Sequence, residues 1–251
     1  MTPADALLAP LDSWNERLDR LRFADPVSAV YNPHRYARGP WEQYLRRFGA
    51  DRRRVLFLGM NPGPWGMAQT GIPFGEVHAA AGWMGLDAPV DTPPSPHPKR
   101  PVEGWDCPRS EVSGRRLWGL FADRFGTPER FFADHLVLNY CPLVFMAESG
   151  RNITPDKLPA AEREALFTIC DEMLLTAVRA YRPAFLVGIG AFARRRLEAS
   201  GAADVAAGPE GAARVEHARV VQILHPSPAS PAANRGWTEQ AERQLRDAGV
   251  W

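Results

Sequence analysis

The chain has 251 residues, 45% hydrophobic and 24% charged, with a formal net charge of +1 at pH 7. These values are ordinary for a globular protein and exclude collagen-like, coiled-coil and wholly disordered chains. They also exclude a polycation that coats nucleic acid through bulk charge. Lysine occurs only at Lys99 and Lys157, so an anionic partner has to be met by local arginine patches such as Arg52–Arg54 and Arg194–Arg196. No apolar run reaches the roughly 18 residues of a membrane span. The opening MTPADALLAPLDSW lacks the basic-then-apolar order of a secretory signal. The cysteines, Cys107, Cys141 and Cys170, are odd in number and widely spaced. That supports neither a disulfide framework nor a four-cysteine metal site, and it points to a reducing, intracellular compartment.

Apolar periodicity predicts helices over Leu11–Phe23 and Tyr36–Phe48, then a short strand over Arg54–Gly59. A long Gly- and Pro-rich connection follows from Asn61 to Ser110, the kind of irregular segment that is usually functional or disordered. A helix over Val112–Phe125 leads to a strand over His135–Asn139. A helix over Pro159–Tyr181, with Glu162, Glu164 and Asp171 in its early turns, leads to a strand over Ala184–Gly190. A helix over Phe192–Ser200 leads to a strand over Arg219–His225. A last helix covers Thr238–Asp247, with Thr238 as its candidate N-cap. The strands are short, rich in Val, Leu and Ile, and barely alternate, as strands covered on both faces do. Strands alternating with helices give an α/β fold: a single domain over 1–251 with a central, mostly parallel four-stranded sheet flanked by helices, and the helices of 1–50 packed on it.

Open α/β sheets bind ligands outside the carboxyl ends of their strands. Those ends read Gly59-Met60-Asn61-Pro62-Gly63, Asn139-Tyr140-Cys141-Pro142, Gly188-Ile189-Gly190 and His225-Pro226-Ser227-Pro228. Two amides and an imidazole thus stand where a site belongs. The segment GPWGMAQTGIPFG lacks both G-x-x-x-x-G-K-[ST] and a helix-opening G-x-G-x-x-G, which disfavours a nucleoside triphosphate. Its glycines instead allow backbone to approach a flat ligand, with Phe74 as the stacking face. The loop His225–Trp237 carries three prolines, no acid and Arg235, a composition stiff enough to press into a groove.

The segments GMNPGPWGMAQTGIPFGEV, HPKRPVEGWDCPRSEVSGRRLWGLF, NYCPLVFM, RPAFLVGIGAFARRR and HPSPASPAANRGW together resemble the single-strand-selective monofunctional uracil-DNA glycosylase family. The resemblance runs from about Arg54 to Trp237. It implies hydrolysis of the N-glycosidic bond of uracil, and of oxidised uracils such as 5-hydroxymethyluracil, in single- or double-stranded DNA. It implies no metal, no cofactor and no strand cutting, with DNA as partner; a monomer is the default state of such a chain. By motif, Asn61 matches the residue that positions the attacking water, and His225 the one that stabilises the departing base. Asn139 matches the reader of the uracil edge, Phe74 the stacking ring, and Met60 and Gly63 the lining of the base pocket. Pro226, Ser227, Pro228, Ala229, Ser230, Pro231, Asn234 and Arg235 match a wedge that enters DNA. Trp65 stands where animal members carry Phe, and Ala229 where a basic residue is common.

These residue types suit the chemistry. Uracil offers N3–H as donor and O4 as acceptor, and an asparagine amide offers the complement. Cytosine would set donor against donor, at about 1–3 kcal/mol for the unmatched group. Bond cleavage builds negative charge on the base, where a fixed donor such as His225 acts most strongly. A protein that binds damaged bases without cleaving them is the chief alternative. A Ser227–His225 hydrolase, lacking a G-x-S-x-G elbow, is a distant third reading.

Overall fold

A computed structural model describes residues 1–206 and 217–251. Two sheets organise it. Strands β1 (Ala29–Tyr31), β4 (Val144–Met146) and β5 (Asn152–Ile153) form a small antiparallel sheet; β2 (Val55–Gly59), β3 (His135–Asn139), β6 (Phe185–Ile189) and β7 (Arg219–Ile223) form a parallel sheet in the order β3-β2-β6-β7. All three pairings of the larger sheet are parallel. The α/β expectation is met, and each of the four strands falls inside its predicted run. Every residue of β2 is buried, which is why its sequence does not alternate. The smaller sheet has no counterpart in the sequence reading.

The parallel sheet is covered by helices. Val112–Phe125 lies where expected, and Ala160–Tyr181 and Ala191–Ala199 fall within a residue of their predicted bounds. Three expectations need correction. The helix predicted over Tyr36–Phe48 is two, Pro33–Tyr36 and Arg38–Phe48, broken at Ala37. Pro40 explains the break, because its ring would clash with the carbonyl four residues back, that of Tyr36. That carbonyl instead accepts from the Asp91 N–H at 2.7 Å. The helix beginning at Leu11 ends at Asp19 rather than Phe23, and Phe23, freed from it, stacks edge-on against Phe145 at 4.9 Å. The final helix begins at Trp237, so Thr238 lies inside it and Gly236, at φ 86°, occupies the cap.

The long connection is not structureless. It contains a helical turn over Met67–Thr70, a wide π-type turn over His78–Trp83 and a tight turn over Gly104–Asp106. Its Pro-rich part is tied to the small sheet through Tyr31, whose hydroxyl donates to the Arg100 carbonyl at 2.8 Å and accepts from the His97 N–H at 2.5 Å.

The free edge of β3 is closed by one side chain. The Tyr44 hydroxyl donates to the Val137 carbonyl at 2.9 Å and accepts from the Val137 N–H at 3.2 Å, with Tyr44 fully buried. Tyr44→Phe leaves both backbone groups unpartnered and should lower stability by about 1–3 kcal/mol. Denaturant unfolding checks this; an unchanged midpoint would show that the edge does not need the hydroxyl.

Candidate active site

The chain passes from β2 to β3 on one side, then crosses to β6 on the other, so the strand order reverses beside β2. A crevice opens at the carboxyl ends at such a point. Here it is a cleft of about 570 Å³ whose lining includes Met60, Asn61, Gly63, Phe74, Asn139, His225, Ser227 and Pro228. Both predicted catalytic residues and all four predicted pocket residues therefore share one hollow. Of the predicted wedge, Ser227 and Pro228 line the cleft. Pro226 is buried beneath the loop, and Ala229, Pro231, Asn234 and Arg235 are exposed beyond the cleft, with Ser230 half-buried among them.

Register brings the first two elements together. Gly59 and Asn139 are paired last residues of neighbouring strands. A Cβ on Gly59 would overlap Asn139 Oδ1 and come within 2.5 Å of the Phe74 ring. Glycine is required there by close approach. The Asn139 Nδ2 donates to the Met67 sulfur at 3.2 Å, while its Oδ1 is buried without a protein partner.

Phe74 pays in backbone strain for its position, with φ at +53°. Such a conformation persists only where the surroundings over-determine it. Here the Trp118 Nε1–H donates to the Phe74 carbonyl at 3.1 Å and the Glu76 N–H donates to it at 2.7 Å. A Cβ on Gly114 would overlap that same carbonyl, so the helix Val112–Phe125 can approach only at glycine.

The Asn61 amide is anchored by its nitrogen, which donates to the Leu143 carbonyl at 3.2 Å and the Pro62 carbonyl at 3.3 Å. Its Oδ1 is left to accept. On the opposite wall, the Ser227 N–H donates to His225 Nδ1 at 3.1 Å. An accepting Nδ1 puts the imidazole proton on Nε2, which is then a donor. Burial holds this ring down to a pKa of about 4, so it is neutral at physiological pH. Ser227 Oγ accepts from the Ala229 N–H at 3.2 Å, and the contact of Ser227 with the imidazole is through its backbone. No Ser–His dyad forms.

Two residues of the site carried no functional signal in the sequence. Glu111 enters the cleft as the residue before the helix Val112–Phe125. Its carboxylate presses on Gly63 and Gly66, where any Cβ would overlap it, and its Oε2 is buried without a partner. Burial first, and then nearby Glu76, push its pKa up to about 7. Arg116, which reads as one base among several, braces the His225 loop. It donates to the Pro226 carbonyl at 3.0 Å, the Ser227 carbonyl at 3.5 Å and Asn234 Oδ1 at 2.9 Å. Asn234 also donates to the Pro228 carbonyl at 2.8 Å, so its amide is spent on the loop itself.

Residues 46–246 match the family model of the uracil DNA glycosylase superfamily. The chain belongs to that superfamily and, within it, to the single-strand-selective monofunctional uracil-DNA glycosylase family. It is 45% identical over 264 residues to the single-strand selective monofunctional uracil DNA glycosylase of Bos taurus, covering 100% of this chain and 93% of the relative. To the Rattus norvegicus protein of that name it is 47% identical over 236 residues, covering 94% of this chain and 81% of the relative. Among solved structures, wild-type Pedobacter heparinus SMUG2 superposes with a TM-score of 0.65 over 100% of both chains at 16% identity, which speaks to the fold alone.

If Arg116 is the brace of the loop, Arg116→Ala should raise amide hydrogen exchange across 227–235 and leave β2 unchanged. Equal protection in both proteins would remove that role.

Stability should also depend on pH. Burial holds His34 down to about 3, His135 to about 4 and His225 to about 4, against 6.5 for a free imidazole. Between those limits the unfolded chain binds more protons, so stability falls as pH drops from about 6.5 towards 4. Glu111, raised from 4.5 to about 7, acts in the opposite sense over the same range, but it is one group against three. Melting temperatures should therefore be lower at pH 5 than at pH 6.5, and the reverse order would contradict neutral burial of these imidazoles.

Proposed function

We propose that this protein is a monofunctional DNA glycosylase that hydrolyses the N-glycosidic bond of uracil, and of small C5-modified uracils such as 5-hydroxymethyluracil, leaving an abasic site. The observation that carries the reading is the set of polar atoms left over in one cleft: an accepting Asn61 Oδ1, an unpartnered Asn139 Oδ1 and a donating His225 Nε2 around the Phe74 ring. The relatives this chain resembles over most of their length bear the name of single-strand selective monofunctional uracil-DNA glycosylases.

The base has to leave the helical stack, at a cost of a few kcal/mol that is least for single strands. Stacking on an aromatic ring returns about 1–3 kcal/mol, and Phe74 is held ready for it. Asn139 Oδ1 accepts from uracil N3–H while the amide nitrogen donates to O4. The C1′–N1 bond then breaks with its electron pair going to the base, and His225 Nε2–H donates to O2 as the charge appears. A neutral imidazole fits this role, since the leaving group needs a hydrogen bond rather than a full proton. Water oriented by Asn61 Oδ1 adds to the electrophilic C1′, and the proton it gives up passes through solvent to the uracil anion, yielding the abasic sugar and free uracil. Asn61 titrates too weakly to act as a strong base, so the sugar has to carry most of the positive charge before water adds.

Incubation with a uracil-containing oligonucleotide should give strand breaks only after alkali. Breaks without alkali would indicate lyase chemistry, and no breaks under either condition would leave a damaged-base binder. His225→Ala should slow single-turnover excision by about 100- to 1000-fold. Asn61→Ala should reduce turnover far more than affinity for DNA; an equal loss in both would contradict its handling of water.

A further inference from the structure

We propose that Met67 is the residue that makes Asn139 a reader of uracil rather than cytosine, by holding the amide in one of its two orientations. The proposal rests on the uracil reading above.

An asparagine amide is nearly symmetric in shape and opposite in hydrogen bonding at its two ends. With Oδ1 towards N3 and Nδ2 towards the exocyclic position, it matches uracil. Turned over, it presents Nδ2 to N3 and Oδ1 to the exocyclic group, which matches the N3 acceptor and N4 amine of cytosine. Specificity therefore requires something behind the amide that tells nitrogen from oxygen. Among the described residues, the Asn139 side chain has one hydrogen-bonding partner, the Met67 sulfur, 3.2 Å from Nδ2. A thioether sulfur has lone pairs and no proton, so it accepts from an N–H and offers an oxygen nothing. Turning the amide over sets oxygen against sulfur and gives up the bond.

The sulfur can act this way because it is fixed. Met67 is 1% exposed and begins the turn Met67–Thr70. That turn is tied on several sides. Tyr36 Oη donates to the Ala68 carbonyl at 2.6 Å, Gln69 Nε2 donates to the Pro64 and Pro101 carbonyls at 3.0 Å each, and the Glu103 N–H donates to Gln69 Oε1 at 2.8 Å. On the far side, the amide and the Phe74 ring crowd the space over Gly59, which confines the plane of the amide without telling its oxygen from its nitrogen. An apolar residue of the same size would fill the space equally well and leave the amide free to turn.

The test compares uracil and cytosine excision from single-stranded oligonucleotides under single-turnover conditions. Met67→Leu should lower the uracil-to-cytosine preference by about tenfold or more, the scale set by one mismatched polar contact. Selenomethionine-substituted protein, whose selenium still accepts, should keep the preference of the unaltered protein. In addition, the side-chain amide resonance of Asn139, assigned by its loss in Asn139→Asp, should shift on selenium substitution. A folded Met67→Leu protein with unchanged preference overturns the proposal. So does an unshifted resonance, which decides the matter even if Met67→Leu does not fold. Absence of uracil excision by the unaltered protein would instead overturn the uracil reading, and the resonance would still report whether sulfur holds the amide.

Discussion

The site depends on a close approach that only Gly59 permits. At the end of β2 the chain has no side chain, and into that space come the Asn139 amide from the neighbouring strand and the Phe74 ring from the long connection. Everything else serves to keep them there. Parallel register fixes Asn139 beside Gly59. The Trp118 indole and the glycine at 114 hold Phe74 in a conformation it would not otherwise adopt. A hydrogen-bonding edge and a flat apolar face are thus built from three stretches far apart in sequence.

The opposite wall is built by other means. His225 stands two residues past the end of β7, where no strand pairing constrains it. Its orientation comes from its own loop, through the Ser227 N–H, and the loop in turn from Arg116 and from Trp237, whose indole N–H donates to the Leu224 carbonyl at 2.7 Å. The close pass of Gly190 against His225, at 3.0 Å for an added Cβ, seats the imidazole over the end of β6. The two walls are therefore held by different means. One is fixed by the register of the sheet, the other by a braced loop.

Much of this was legible in the sequence because it is local. The four strands announce themselves as short apolar runs, and Asn61, Asn139 and His225 stand at their ends, where a parallel sheet places its ligands. What escaped was set by long-range contact. Strands β1, β4 and β5 are two or three residues long, and Ala29 pairs with Met146 across most of the intervening chain, so no periodicity marks them. The break at Ala37 was readable from Pro40, and the apolar spacing masked it. Glu111 reads as a solvated acid before a helix; only the turn at Gly63 and Gly66, folding over it, buries its carboxylate. Arg116 and Asn234 are polar residues of ordinary appearance whose partners lie more than a hundred residues apart in the chain.

The burial of Glu111 bears on how a chain of nearly zero net charge can present this cleft to a polyanion. A fully ionised carboxylate there would repel phosphates at short range, in a setting where water screens it poorly. Raised to about 7, it is protonated in a large share of molecules at neutral pH. Trp65 lines the cleft with Arg100 and Arg109 against its ring, their guanidinium carbons 5.1 and 4.5 Å from its centroid. An indole so placed holds two cations beside the cleft while adding no charge of its own to it. Two cations thus stand against a ring of the cleft lining, while the carboxyl inside the cleft is raised towards its neutral form.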